Sequence, residues 1–217
     1  MLKAIVFDMD GTLGDTLPLC VESFARCVEE HTGRRPSEQE VTAHFSVSDT
    51  GILSGLLGMP ADAPELPVAR FAEIYAQLHA QYAPAPFPGA VETLQRLKAK
   101  GYRLALLTGK EAYTALPTLH HFGMDGIFEH KLYGCPTHNC KAERLRELMR
   151  LWQLEPAELI YIGDAPSDID QSHRVGVRII CAAWSPNTET DTTDCQDITP
   201  DYRLTDFCRL EPLLATL

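Results

Sequence analysis

The chain has 217 residues, of which 45% are hydrophobic and 23% are charged, a composition typical of a folded soluble protein and unlike that of a disordered one. This length suits one globular domain, or one domain that carries a smaller inserted module. The formal net charge of −11 argues against nucleic acid and against an anionic membrane surface as the main partner, because lysine and arginine supply the contacts to both.

Short apolar runs alternate with helical patterns along most of the chain. The first run, Ala4–Phe7, is stopped by an acidic segment that contains glycine, which is typical of a buried parallel strand. Similar runs occupy residues 102–107, 159–162 and 177–181, and helical patterns occupy residues 90–100, 111–122, 141–153 and 167–175. This alternation predicts an α/β fold with three layers, in which helices cover both faces of a Rossmann-like parallel sheet. Pro117 lies inside the second helical pattern, where we expect it to kink or break the helix.

Residues 17–85, called the helical insert below, interrupt this alternation. They contain no convincing strand but four amphipathic segments, at residues 19–31, 37–44, 48–57 and 67–82. A proline-rich stretch, residues 83–89, then predicts a stiff linker. We therefore expect an all-helical cap domain at residues 17–85, inserted into an α/β core domain made of residues 1–16 and 86–217. A polar segment, residues 185–197, predicts an exposed loop.

The sequence contains no obvious membrane or export segment. No apolar stretch approaches the roughly 18 residues that a membrane-spanning helix needs. The apolar run at the N-terminus is too short for a signal peptide and ends in an acidic residue. The seven cysteines are an odd number in a chain without secretory features, so we expect reduced thiols and a cytoplasmic protein.

Cys135, His138 and Cys140 form a compact cluster that could in principle bind zinc. A structural zinc ion normally takes four ligands, and no fourth ligand is evident near this cluster. An ordinary loop is therefore the preferred interpretation, with a zinc site as the alternative.

Polar side chains follow three of the predicted strands, at the points where the strands end. They are Asp8 and Asp10 after the first run, Thr108 after the second, and Asp164 and Asp168 after the run at residues 159–162. Because ligands bind at the carboxyl ends of the strands in an open parallel sheet, we expect these side chains to lie on one rim. Lys141 begins a predicted helix and is the natural cationic partner of this set.

These residue types suit the transfer of a phosphoryl group. A few carboxylates together with water are the ligands that Mg²⁺ prefers, and no His/Cys cluster at this rim indicates a softer metal. A carboxylate beside Mg²⁺ can attack phosphorus and form an aspartyl phosphate, while a second carboxylate two residues on can transfer protons. Thr108 and Lys141 would hold the phosphoryl oxygens and neutralise their charge.

Four motifs of this chain resemble, in order and spacing, those of the haloacid dehalogenase superfamily. They are Asp8-Met9-Asp10-Gly11-Thr12, Leu107-Thr108, Lys141 and Gly163-Asp164-x-x-x-Asp168. The helical insert resembles the C1-type cap of the phosphoglycolate phosphatase-like members, and the resemblance extends over essentially the whole chain. It implies a Mg²⁺-dependent hydrolase that acts on a small phosphorylated metabolite, a phosphomonoester, and that is a monomer or a homodimer.

The resemblance also implies a role for each matching residue. Asp8 would be the nucleophile and Asp10 the general acid and base, while Thr108 binds phosphate and Lys141 neutralises charge. The residues implied to contact the phosphate are Asp8, Met9, Asp10, Thr108, Gly109 and Lys141.

For the metal, the resemblance implies that Mg²⁺ is held by the Asp8 carboxylate, the Asp10 main-chain carbonyl and the Asp164 carboxylate. Three further residues would support this arrangement. They are Gly11, which permits the chain to reverse, Thr12, which steadies Asp10, and Asp168, which orients metal-bound water or Lys141 or is itself a ligand.

Two departures from the family pattern bear on these assignments. Ala142 follows Lys141 where the family often has proline, so Lys131 is a rival for the same role. We prefer Lys141 because it begins a helix at the expected distance along the chain. Gly109 stands where the family frequently has asparagine, which preserves the phosphate contact of Thr108 but leaves the neighbouring substrate contacts open.

Other functions stay open beside the phosphatase. A phosphoglucomutase-type isomerase would also need Asp10, but it would return the phosphoryl group to a sugar and not to water. A non-enzymatic phospho-acceptor or regulatory protein can combine the same residue types on a parallel sheet, although it would not need the helical insert. The acid at Asp10 argues against the dehalogenase and phosphonatase branches of the superfamily.

Side chains near the predicted rim could contact the substrate beyond its phosphate. The candidates are Arg26, Arg34, Arg35, His44 and Lys110. We expect most of them to be solvated surface residues.

Overall fold

A computed structural model describes residues 1–186 and 199–217 of the chain. Its strands are β1 (Ala4–Phe7), β2 (Arg103–Leu107), β3 (His130–Leu132), β4 (Leu159–Gly163), β5 (Arg178–Ala182) and β6 (Tyr202–Leu204). They form one parallel sheet in the order β3-β2-β1-β4-β5-β6. This is a doubly wound strand order, so the structure confirms the predicted α/β fold.

The strands at the centre of the sheet are buried on both faces, as their continuous apolar runs predict. In β1, Ile5 and Phe7 pack into one core, whereas Ala4 and Val6 pack into a second core on the opposite face. The ends of the central strands are aligned, since Phe7 pairs with a residue of β2 on one side and a residue of β4 on the other. Residues that directly follow these strands therefore emerge at one edge of the sheet.

The four helices of the helical insert are α1 (Leu17–Thr32), α2 (Glu38–Thr42), α3 (Asp49–Leu57) and α4 (Val68–Tyr82). Helices α1 and α4 pack together, and the rings of Phe24 and Phe71 are stacked with their centroids 4.3 Å apart. The insert also contacts the loop after β3, because the Ser48 main chain donates a hydrogen bond to the Cys135 carbonyl. The division into a core and a cap domain at residues 17–85 stays a prediction.

Five more helices flank the sheet: α5 (Ala90–Ala99), α6 (Ala112–His121), α7 (Lys141–Trp152), α8 (Pro166–His173) and α9 (Leu210–Leu214). Side chains of α5, α6 and α9 join the core on one face of the sheet, and side chains of α7 and α8 join the core on the other. The three predicted layers are therefore present. No helix among the described residues is long and apolar enough to span a membrane.

The structure differs from the sequence-based prediction at several points. The short strands β3 and β6 at the two edges of the sheet, and helix α9, were not predicted. Helix α6 continues through Pro117, so the helix is not broken there, and the alternative expectation of a kink stays a prediction. The Thr118 hydroxyl donates to the Thr114 carbonyl in the same turn and adds a hydrogen bond near the proline. The predicted loop at residues 185–197 lies almost entirely outside the described residues.

Candidate active site

Asp8 directly follows β1, and its main-chain N–H donates to the Ile162 carbonyl of β4, which fixes the backbone at the edge of the sheet. One carboxylate oxygen, Oδ1, accepts a hydrogen bond of 2.7 Å from the main-chain N–H of Met9. The other, Oδ2, lies 2.7 Å from Lys141 Nζ. Burial raises the pKa of Asp8 to about 7, although the nearby lysine acts in the opposite direction. The Met9 side chain is buried in the core, so only its main chain faces this site.

Lys141 is the first residue of α7, and its ammonium bridges two carboxylates. Besides Asp8, it contacts Asp168 Oδ1 at 2.5 Å, and Asp168 is fully buried at the start of α8. Burial alone would lower the pKa of Lys141, but the two carboxylates hold it well above its ordinary value. The lysine is therefore charged and fixed in place. Its rival, Lys131, lies in β3 and does not line the cavity described below.

Three carboxylates converge at this edge of the sheet. One oxygen from each of Asp8, Asp164 and Asp168 lies within 4.8 Å of the others. Burial and the neighbouring acids Asp168 and Asp8 raise the pKa of Asp164 well above its ordinary value. Buried like charges at this spacing repel one another, and a divalent cation with oxygen ligands would remove that repulsion. The donor set therefore fits Mg²⁺.

Gly11 makes room for this cluster. Its φ of +67° lies in the left-handed region that glycine adopts readily, and a Cβ there would lie only 2.0 Å from Asp164 Oδ2. The Thr12 hydroxyl donates to Asp164 at 3.3 Å. Thr12 thus contacts Asp164 and not Asp10, contrary to the sequence-based expectation.

The Asp10 carboxylate is not one of the three converging carboxylates. Its Oδ1 accepts a short hydrogen bond from the Thr16 hydroxyl and lies 3.3 Å from Lys110 Nζ. The family resemblance assigns to Mg²⁺ only the main-chain carbonyl of Asp10 and not this carboxylate. The carboxylate itself is held by two donors at the margin of the cavity.

Lys110 is the one predicted substrate-contacting residue that lines the cavity, but only 2% of it is exposed. Its ammonium lies 3.0 Å from Cys20 Sγ of α1 and 4.5 Å from the centre of the Tyr75 ring of α4. Burial would lower its pKa, yet the Asp10 carboxylate keeps the pKa of Lys110 well above its ordinary value. Lys110 is thus enclosed between the sheet edge and the insert. Sequence reasoning noted this lysine but missed Cys20 and Tyr75, which carry no motif.

Thr108 is fully buried directly after β2. Its hydroxyl accepts a hydrogen bond of 3.2 Å from the Lys110 main chain, so the side chain is fixed at the start of the following turn. Both Thr108 and Gly109 line the same cavity as Asp8 and Lys141. The turn after β2 therefore brings a hydroxyl and a glycine backbone to the cavity that Asp8 and Lys141 line.

A cavity of about 900 Å³ lies between this edge of the sheet and the helices of the insert. Its floor is formed by the acids and lysines described above, and its opposite wall by residues of α1, α2, α3 and the segment between α2 and α3. Four of the candidate substrate-contacting residues, Arg26, Arg34, Arg35 and His44, do not line it. All three arginines are ion-paired with glutamates.

The side chains of Cys135, His138 and Cys140 do not converge as a set of metal ligands in the described parts of the chain. His138 Nε2 lies 3.1 Å from a Glu143 carboxylate oxygen, and Cys140 Sγ lies 3.8 Å from the Tyr133 carbonyl. The geometry thus favours a loop at this point. The six described cysteines are free thiols.

Comparisons with known proteins agree with this fold. Residues 5–182 match the family model of haloacid dehalogenase-like hydrolases. The chain is 28% identical over 201 residues to a phosphoglycolate phosphatase of Thiobacillus denitrificans, covering 89% of this chain and 88% of the relative. It is also 28% identical over 223 residues to a phosphoglycolate phosphatase of Haemophilus influenzae, covering 98% of each chain. A crystal structure from Haemophilus somnus, described as a predicted phosphoglycolate phosphatase, superposes with a TM-score of 0.80 at 23% identity over 98% of each chain, which shows the shared fold.

Proposed function

The chain belongs to the haloacid dehalogenase-like hydrolase family, and on that premise we propose that it hydrolyses a small phosphomonoester through an aspartyl phosphate formed on Asp8. It is a phosphatase similar to phosphoglycolate phosphatases. The observation that carries the proposal is the setting of Asp8, a buried carboxylate oriented by its neighbour's N–H and by Lys141. Such a carboxylate can act as a nucleophile toward phosphorus.

In the first step, a carboxylate oxygen of Asp8 forms a bond to phosphorus while the bond from phosphorus to the alcohol oxygen breaks. Asp10 enters this step protonated on Oδ2, while Oδ1 keeps its contacts with Thr16 and Lys110, and it donates that proton to the leaving oxygen, so the alcohol leaves in neutral form. In the second step, Asp10 takes a proton from water, the water oxygen attacks phosphorus, and the bond to Asp8 breaks. Inorganic phosphate is released and both carboxyl groups return to their starting states.

The neighbouring residues keep these two acids in place. Lys141 lies within hydrogen-bonding distance of Asp8 and can neutralise charge on the phosphoryl oxygens as they approach. Thr16 and Lys110 hold the Asp10 carboxylate apart from Asp8, at a place from which it can reach the leaving oxygen. Thr108 and the main chain of Gly109 complete the phosphate site.

We infer that Mg²⁺ is held by Asp8, the Asp10 main-chain carbonyl and Asp164, with Asp168 beside them. When bound, the ion supplies positive charge that stabilises the phosphoryl oxygens in the transition state. The convergence of one oxygen each from the buried Asp8 and Asp168 and the half-buried Asp164 supports this assignment.

The proposal is tested by assaying the purified protein with 4-nitrophenyl phosphate and Mg²⁺, next to Asp8→Asn and the exposed, matched control Asp62→Asn. Wild type and Asp62→Asn should turn over, whereas Asp8→Asn should fall to the background rate with an unchanged circular dichroism spectrum. Acid quenching during turnover should leave a phosphoryl group on the peptide that contains Asp8. Wild-type turnover by Asp8→Asn would contradict the mechanism. Transfer of phosphate to a sugar 1-phosphate, with no release to water, would instead favour the phosphoglucomutase-type isomerase.

A further inference from the structure

We propose that the preferred substrate is a phosphomonoester whose alcohol part is apolar and carries no second anionic group. The proposal rests on the function proposed above, because it concerns the leaving group of that reaction. It follows from the charges and the packing of the cavity wall opposite Asp8.

No lysine or arginine of the helical insert is available to pair with a substrate. It contains four arginines and no lysine, and all of its residues are described. Each arginine is held by glutamates and none lines the cavity: the pairs are Arg26 with Glu22, Arg34 with Glu40, Arg35 with Glu22 and Glu29, and Arg70 with Glu30 and Glu73. A carboxylate or second phosphate on the substrate would therefore have no guanidinium to pair with on this wall.

The two lysines that line the cavity are already paired. Lys141 contacts Asp8 and Asp168 on the phosphate side, and Lys110 contacts Asp10 beneath the insert. No other lysine and no arginine lines the cavity among the described residues. A second anion would therefore be taken out of water without a free cation beside it, which costs free energy.

The wall that faces the leaving group is mostly apolar, with acids between. Val21 and Phe24 of α1, Phe45 and Val47 before α3, and Ile52 of α3 line it. Apolar surface that packs here is removed from water and gains about 25 cal/mol per Å². Glu38, which also lines this part of the cavity, would repel a second negative charge. The wall therefore selects an apolar, uncharged alcohol.

Two matched pairs of substrates test this. Phosphoglycolate and 2-hydroxyethyl phosphate differ only in a carboxylate that replaces a hydroxymethyl group, and 4-carboxybenzyl phosphate and benzyl phosphate differ only in a carboxylate. We expect kcat/KM to be higher for the uncharged member of each pair by about tenfold or more, and highest for benzyl phosphate. Equal or faster hydrolysis of the carboxylated members would overturn the proposal while leaving the phosphatase function intact. Hydrolysis of none of the four while 4-nitrophenyl phosphate is still turned over would also overturn the proposal, and turnover of none of the five would contradict the phosphatase function itself.

A variant tests the reason for the preference. Ser46 is exposed and lines the cavity, so Ser46→Lys adds an ammonium without burying it, and Ser46→Gln is the uncharged control. Ser46→Lys should shift the ratio of kcat/KM for 4-carboxybenzyl phosphate over benzyl phosphate upward by about threefold to fivefold, and Ser46→Gln should not. An unchanged ratio in Ser46→Lys would show that charge on this wall does not set the preference.

Discussion

The ammonium of Lys110 lies 3.3 Å from the Asp10 carboxylate, at the junction of the sheet edge and the helical insert. The lysine is contributed by the turn after β2, but Cys20 and Tyr75 of the insert enclose it. The insert thus helps to fix the acid that is proposed to transfer protons, in addition to forming the cavity wall. We therefore expect a change in the packing of α1 or α4 to shift the position of the Asp10 carboxylate.

Lys110→Met should lower kcat by about 10- to 100-fold, because Asp10 would lose one of its two donors and no longer be held toward the leaving oxygen. KM should change much less, since Lys110 is enclosed and does not face the phosphate. The free energy of unfolding should fall by about 3–5 kcal/mol, because Asp10 and the buried Asp49 would lose their common cation. Kinetics with 4-nitrophenyl phosphate and urea unfolding would measure both effects.

Lys110→Arg retains the charge and should recover part of kcat, whereas a residue that serves packing alone would not respond to charge. Lys98→Met, at an exposed lysine of α5, is the control and should keep wild-type kinetics. Equal losses of kcat in Lys110→Met and Lys110→Arg, with stability unchanged, would contradict the role given to this ion pair.

Lys141→Met and Lys131→Met form a matched pair that decides between the two lysines considered from the sequence. Lys141→Met removes the cation that bridges Asp8 and Asp168 and should lower kcat/KM by about 100- to 1,000-fold. Lys131→Met, in the edge strand β3, should stay near wild type. Steady-state kinetics would measure both, and a severe loss in Lys131→Met alone would reverse the assignment.

Mg²⁺ should stabilise the folded protein, and the effect should depend on Asp164. At a Mg²⁺ concentration 100 times the Kd, binding adds about 2.7 kcal/mol to the free energy of unfolding, which thermal melts would detect without any substrate. EDTA should abolish activity and this gain in Tm, and added Mg²⁺ should restore both. Asp164→Asn should melt no lower than wild type in EDTA, because it removes one of three converging like charges, yet it should gain nothing from Mg²⁺.

The control for the metal is Asp62→Asn, which changes an exposed carboxylate to the same amide and should keep the full Mg²⁺ response. If Asp164→Asn still gained the wild-type increase in Tm, the assignment of the metal to this cluster would be wrong.

The central strands could be predicted because each is an apolar run buried on both faces, so the periodicity of hydrophobic residues carries the information. The edge strands β3 and β6 could not be predicted, because each has three residues and none of them is fully buried.

The hydrogen-bond donor to the Asp10 carboxylate was also not predicted. Which of Thr12 and Thr16 donates a hydrogen bond to the Asp10 carboxylate depends on how the backbone turns after Gly11. The spacing of these residues along the sequence does not determine that turn.

His79 of α4 should make the stability of the protein depend on pH. It is buried, its Nε2 lies 3.1 Å from the Thr118 hydroxyl, and its Nδ1 has no hydrogen-bond partner among the described residues. Burial, together with the nearby His121 and Lys110, lowers the pKa of His79 to about 4. The unfolded chain therefore binds a proton to this histidine more readily than the folded chain between about pH 6.5 and pH 4.

The free energy of unfolding should therefore fall as the pH drops through that window. Above about pH 6.5, the protonation of His79 should make no contribution to it. Between about pH 7 and pH 5 the loss from this residue is about 1–2 kcal/mol. Urea unfolding at both pH values would measure it, and His79→Phe and His79→Gln should each lose less stability than wild type over this interval. The exposed His31→Gln is the control and should follow wild type. Equal losses in wild type and both His79 variants would show that the protonation of His79 is not coupled to folding.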